Sequence, residues 1–334
     1  MNMPVRRVTK ADVAKFANVS HMTVTRALTG SGSISAETKE RVLNACRKLG
    51  YTPDLVARSL CARKSRILGL LTRPLAQSYF ARMISSVEQR SRSLGYHVLM
   101  AQVTDGGPSI LSNIQSLFGR RVDGLLIAGI SLPEDAAVYL ENSRIPTVFM
   151  DSPGDGDDFV FVGTNDREGG YQAAKYLVKQ GHGRLAFIAG YPESYTSKER
   201  ICGYRTALLE HGIEACDEDI FYTNYQMDGG YKAAEAMLSS GRGYTALLCG
   251  NDYVAVGAAA CIRHHGFQIP KDFALIGFSG DELGEYSAPP LTTMYQPAEE
   301  IGRSAVDCMV KMLEGGPVNK RILFTSSLLI RESA

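Results

Sequence analysis

Two periodicities divide this chain. Up to Leu49 apolar residues recur at the i, i+3, i+4 spacing of helices, whereas from Ile67 short apolar runs alternate with amphipathic segments. In the first part Thr9, Ser20 and Ser35 each stand just ahead of a helical pattern, where a hydroxyl can accept from an orphan N–H. They predict helices Lys10–Ala17, His21–Leu28 and Ala36–Leu49. Only Asn18 and Val19 separate the first two, so the pair must turn sharply, with Ala11, Val13, Ala14 and Phe16 expected to pack on Val24, Ala27 and Leu28. That leaves His21, Met22, Thr25, Arg26 and Thr29 on the outer face of the second helix, an odd mixture for a merely solvated surface. Gly50 to Pro53 then ends the third helix, because proline biases the residue before it away from the helical region. The run Asp54–Arg66 keeps helical spacing but is too short to hold a helix alone in water, and reads as a conditional linker.

Beyond it come the strand-like runs ILGLLT, HVLMAQ, GLLIAG, PTVFMD, FVFVGT, LAFIAG, DIFYTNY, ALLCG, FALIGFSG and LTTMYQ, with a last strand-like stretch at Arg321–Arg331. Helical segments such as Ala81–Leu94 and Arg167–Gln180 separate most of them, the pattern of parallel sheets covered by helices on both faces. So many strands exceed one comfortable doubly wound sheet, which predicts two similar α/β lobes with a ligand cleft at the strands' carboxyl ends. The expected organisation is an all-α helix-turn-helix head at 1–52, a linker at 53–66 and a two-lobed body at 67–334. Its first lobe takes about 67–166 and 295–323, and its second about 167–294 and 324–334.

Charge sharpens the division. Residues 1–66 hold 13 Lys and Arg against four acids, while the rest of the chain holds 23 against 31. A cationic head on an acidic body points to a polyanion at one end only. Seven cysteines stand singly with no Cys-x-x-Cys pair, so neither a zinc ribbon nor a disulfide framework is expected, and no cofactor is. Early charges and the lack of a membrane-length apolar run argue against a signal peptide or a spanning helix, leaving a reducing cytoplasm as the expected location.

Catalytic motifs fail in context. GHGRLA and GRGYTA, beginning at Gly181 and Gly241, match a glycine-rich dinucleotide pattern, but each follows a helix and precedes a strand. Pyrophosphate binding needs the reverse, with free N–H groups opening a helix, so these glycines read as helix C-caps. No nucleophile elbow, phosphate-binding P-loop or zinc-protease signature occurs, and His264 and His265 read as partners of a helix dipole. The chain is not expected to be an enzyme.

The run from Val8 to Ser65 resembles the DNA-binding head and hinge of the lactose/galactose-repressor family of bacterial transcription regulators. The likeness continues through GHGRLAFIAG, LLCGNDYVAVGA, PPLTTMYQP and EIGRSAV, covering essentially the whole chain. It implies that the second helix reads the major groove of double-stranded operator DNA. His21 and Met22 would choose bases there, Arg26 would reach a guanine edge or a phosphate, and Thr9, Ser20, Thr23 and Thr25 would hold phosphates. In the hinge, Leu60 matches the leucine that wedges into the minor groove.

The same resemblance implies a periplasmic-binding-protein-like body with a small-molecule effector in its cleft. Tyr79 and Phe80 match the aromatic that closes the pocket, Arg200 the ligand-clamping arginine and Tyr225 a stacking aromatic. Asn251 and Asp252 match a paired Asn-Asp after a strand, and Asp151 an acid at another strand end. Where many members carry a Gly-aromatic-Asp-Asp run, this chain has Gly277-Phe278-Ser279-Gly280-Asp281. Losing that first carboxylate at Ser279 favours a sugar acid over a neutral sugar, with Asp281 still able to swing in. A solute-binding transport protein would share the body but would need a signal peptide and no basic head. With no apolar heptad tail after the last strand-like run, a homodimer on a palindromic site is expected.

Overall fold

The computed structural model describes residues 8–29, 33–51, 64–75, 77–104, 106–154 and 159–334. It divides the chain into two compact units, residues 1–65 and 66–334. In the first, α1 spans Lys10–Ala17, α2 His21–Thr29 and α3 Ala36–Leu49. Thr9 caps α1 in a reciprocal box, its Oγ1 accepting from the Asp12 N–H at 3.3 Å while its own N–H donates to Asp12 Oδ2 at 2.8 Å. Asn18 turns the chain at a φ of 49°, which its short polar side chain tolerates. Ser20 and Ser35 cap α2 and α3 through the N–H groups of Thr23 and Thr38. Val13, Ala14, Ala17, Val24, Ala27, Val42, Ala45, Cys46 and Tyr51 form the core. Ala11 and Phe16 stay outside it, Phe16 at 54% exposure, contrary to the expected packing face. The helical turn puts 13, 14 and 17 on one side and swings 16 away, and alanines there let three short helices approach closely.

In the body the first sheet holds β1 (Ile67–Thr72), β2 (His97–Gln102), β3 (Gly124–Ala128), β4 (Thr147–Met150), β5 (Val160–Thr164) and β11 (Arg321–Phe324). Their order is β11-β5-β4-β3-β1-β2, all parallel. The second sheet holds β6 (Leu185–Ala189), β7 (Ile220–Tyr222), β8 (Ala246–Cys249), β9 (Ala274–Ser279), β10 (Thr292–Tyr295) and β12 (Ser327–Leu329). It is ordered β12-β10-β9-β8-β6-β7, with only β12 antiparallel. Helices α4 (Ser78–Ser93), α5 (Ile110–Gly119), α6 (Glu134–Ser143) and α12 (Ala298–Leu313) cover the first sheet. Helices α7 (Asp166–Lys179), α8 (Tyr195–Glu210), α9 (Met227–Ser239) and α10 (Asp252–His264) cover the second, and a short α11 (Glu282–Glu285) follows β9. The architecture is thus a helical head plus two doubly wound lobes, each with a core on both faces of its sheet.

The chain passes between lobes three times: after β5, after β10 and between β11 and β12. Tyr295 closes a strand of the second sheet and Phe324 one of the first, so both fall one residue across the expected lobe boundaries. Gly181 and Gly241 follow α7 and α9 at φ of 94° and 65°, the left-handed geometry of helix ends rather than of phosphate loops.

Candidate functional site

The outer face of α2 is built by its inner one. Val24 and Ala27 are buried against α1 and α3, which fixes the helix rotation and leaves His21, Met22 and Arg26 exposed, Met22 at 64%. Single exposed apolar side chains are ordinary, so what marks Met22 is its place between His21 and Arg26 on the outer face. The hydroxyls nearby already serve the fold. Thr9 Oγ1 donates to Asp12 Oδ2 at 2.7 Å, Ser20 Oγ and Thr23 Oγ1 lie 2.8 Å apart, and Thr25 Oγ1 donates to the His21 carbonyl at 3.2 Å. The Thr29 side chain and Leu60 lie outside what is described.

The body carries a cavity of about 460 Å³ between the carboxyl ends of its two sheets. Of the eight residues expected around an effector, Tyr79, Phe80, Asp151, Arg200, Tyr225, Asn251 and Ser279 line it. Asp281 does not. Its carboxylate accepts from Ser78 of α4, and its N–H donates to Asp252 Oδ2 at 2.6 Å, so it faces the other lobe instead of the cavity.

Arg200 organises the floor. Its Nε donates to Asp166 Oδ1 at 2.8 Å, Nη1 to the Gly250 carbonyl at 2.5 Å and Nη2 to Gln296 Oε1 at 3.3 Å, while its guanidinium lies 3.7 Å from the centre of the Phe278 ring. Gln296 Nε2 in turn donates to Thr164 Oγ1 at 2.9 Å. Thr164 and Gln296 flank two of the lobe crossings, so the arginine sits on the waist of the molecule. Burial lifts the Asp166 carboxyl to about 7 even with Arg200 beside it. Asp151 is also raised by burial, against the pull of Arg200 and a 2.8 Å hydrogen bond from Tyr79 Oη.

Tyr225 forms one wall. It holds a φ of 61°, costly for a non-glycine residue, and is pinned at both ends. Its carbonyl accepts from Asn251 Nδ2 at 3.1 Å and Gln77 Nε2 at 3.0 Å, and its Oη lies 2.7 Å from Ser197 Oγ and 2.9 Å from Thr196 Oγ1. The Gln77 bond crosses the cleft, as does Arg82 Nη2 to the Ser279 carbonyl at 3.0 Å. One turn of α4 therefore presents Tyr79 and Phe80 to the cavity and Gln77, Ser78 and Arg82 to the facing lobe.

Sequence reasoning passed over Arg73, Gln77, Asp166 and Gln296. Arg73 and Gln296 each follow a strand directly, which was their one available signal. Asp252 is fully buried, accepts from Thr293 Oγ1 at 2.6 Å and from the Asp281 N–H, and is lifted by burial to about 7. Among the described residues no group of three or more His, Cys, Asp or Glu is placed to hold a metal, and no helix is long and apolar enough to cross a membrane.

A cationic helix-turn-helix unit together with a two-lobed body and its polar cleft is the arrangement of a DNA-binding regulator. Residues 9–54 match the family described as bacterial regulatory proteins, lacI family, and residues 65–332 match that of periplasmic binding proteins and the sugar binding domain of the LacI family. The HTH-type transcriptional repressor PurR of Aliivibrio salmonicida is 33% identical over 312 residues, covering 93% of this chain and 94% of its own. The ribose operon repressor of Haemophilus influenzae is 32% identical over 329 residues, covering 97% and 98%. The crystal structure of the Lac repressor dimer bound to operator and the anti-inducer ONPF superposes with a TM-score of 0.88 at 27% identity, covering 98% of this chain and 99% of that one. The chain belongs to the LacI family and is a DNA-binding transcriptional repressor.

Proposed function

We propose that this repressor acts in the cytoplasm as a homodimer on a palindromic operator and that a small hydroxyl-rich metabolite, a sugar acid or a sugar, binds in the cleft and sets operator affinity. The cleft carries this reading: two rings, Phe80 and Tyr225, face a floor of Asp151, Asn251 and Arg200 across about 460 Å³. Aromatic faces suit the C–H faces of a sugar ring, and the polar groups suit its hydroxyls. On the DNA side, His21 and Met22 read bases and Arg26 reaches a guanine edge or a phosphate, with Thr9, Ser20, Thr23 and Thr25 toward phosphates and Leu60 as the minor-groove wedge. One reading helix spans too few base pairs for useful selectivity, and two-fold pairing of heads doubles the site. Closing the lobes on a ligand redistributes the contacts of α4, which is how occupancy would reach the head.

The test is selection of genomic fragments by the full chain, followed by titration of sugars and sugar acids into the selected complex. A two-fold symmetric consensus, two chains per site and a ligand-dependent change in affinity are expected. An asymmetric consensus bound by one chain would refute the dimer, and indifference to every small molecule tried would refute the effector.

A further inference from the structure

We infer that Arg73 holds a carboxylate of the effector, which makes that effector a hydroxyl-rich carboxylic acid and gives Arg200 a positioning role. The inference rests on the cleft being an effector site. Arg200 is buried, its charge is matched by Asp166, and each of its nitrogens already reaches an acceptor. It has no fork left to offer an anion, only a remaining Nη1 hydrogen suited to a hydroxyl.

Arg73 is in the opposite condition. It follows β1, lines the same cavity, is exposed, and makes no ion pair among the described residues. Its Nε donates to the Gly129 carbonyl at 2.7 Å and its guanidinium lies 5.6 Å from the ring centre of Tyr191 on the facing lobe. The anchor is itself fixed. Gly129 sits at a φ of 63° with its N–H donating to the Met150 carbonyl at 2.9 Å, and a Cβ there would lie 2.6 Å from the Phe80 ring, so the position takes only glycine. With Nε tied down, both Nη groups form an oriented fork at the cleft mouth, the geometry that a carboxylate accepts bidentately. Asp151, bonded to Tyr79 Oη, already feels the Arg73 charge, which offsets part of the rise that burial gives its carboxyl, and it is left for hydroxyls.

Glu193 is the competing explanation. It lines the same mouth from the second lobe, is exposed, and also makes no ion pair among the described residues. If Arg73 serves only to meet Glu193 as the lobes close, losing either residue would weaken every ligand alike. If Arg73 holds the ligand, losing Glu193 removes a repelling charge.

Calorimetry on the full chain with D-gluconate, D-glucuronate and D-glucose separates these cases. An acid is expected to bind the wild-type chain at least about ten-fold more tightly than glucose, as a charge-assisted pair warrants. Arg73→Gln should erase that preference, Arg73→Lys should keep part of it, and Glu193→Gln should leave acid binding equal or tighter. Glucose binding as tightly as the acids, no binding by any of the three, or an acid preference surviving Arg73→Gln would each overturn the inference. A parallel operator-release assay with neutral sugars keeps the two readings apart. Release by a neutral sugar alone retains the effector site and removes the role of Arg73.

Discussion

Gly190 and Tyr225 share one space: a Cβ on Gly190 would lie 1.8 Å from the Tyr225 ring. The end of β6 is thus bare so that an aromatic wall can stand beside it. Gly190→Ala should drive the ring off its contacts with Ser197 and Thr196, at a cost of about 1–3 kcal/mol. Denaturation of the body should move to lower urea, and the operator complex should lose its response to effector while the DNA-bound head is unaffected. An unchanged response would mean that Tyr225 does not shape the binding cavity.

Met22→Ala should change which operator is preferred without abolishing binding. The side chain is 64% exposed and supports nothing in the head, so its loss should leave helix content and melting unchanged. Discrimination at one base-pair position in each half-site should fall by about 1 kcal/mol or more, read by competition among operator variants. A preserved preference would shift the reading register to other residues of α2.

Operator affinity should fall steeply with salt. Nine more basic than acidic residues in the first 66 displace condensed counterions from DNA, so a loss on the order of a thousand-fold between 50 and 200 mM salt is expected. A log–log plot of affinity against salt checks this, and a nearly flat line would contradict the electrostatic role of the head.

The body should lose stability as pH rises from acid to neutral. Asp252, whose ordinary value is 3.8, is lifted to about 7 by burial, so between those values the folded state holds a proton that the unfolded chain releases. Its contribution is complete below the lower value and is gone once pH passes the upper one. Urea midpoints at pH 5 should exceed those at pH 8, and Asp252→Asn should flatten the difference.

Elements set by neighbours in sequence were legible before the structure. The bounds of α1 and α3 follow from Thr9, Ser35 and Gly50, whose capping bonds reach only a few residues. The strands followed from apolar runs buried on both faces. Phe16 was misplaced because hydrophobicity outweighed phase, and four alanines, Ala14, Ala17, Ala27 and Ala45, help close the core without it. Distance along the chain hid the rest. Gln296 matters through Thr164 and Arg200, far away in sequence, and Asp281 turned from the cavity because Ser78 lies on the opposite lobe. Arg73 carried no periodic signal, since what distinguishes it is a carbonyl supplied by Gly129.

Because the backbone threads the waist between the two lobes three times, neither lobe is a continuous stretch of sequence, and each needs the late residues of the chain to finish its sheet. Cutting the chain after β10 would therefore leave both sheets one strand short, so neither half can be finished without the tail of the sequence.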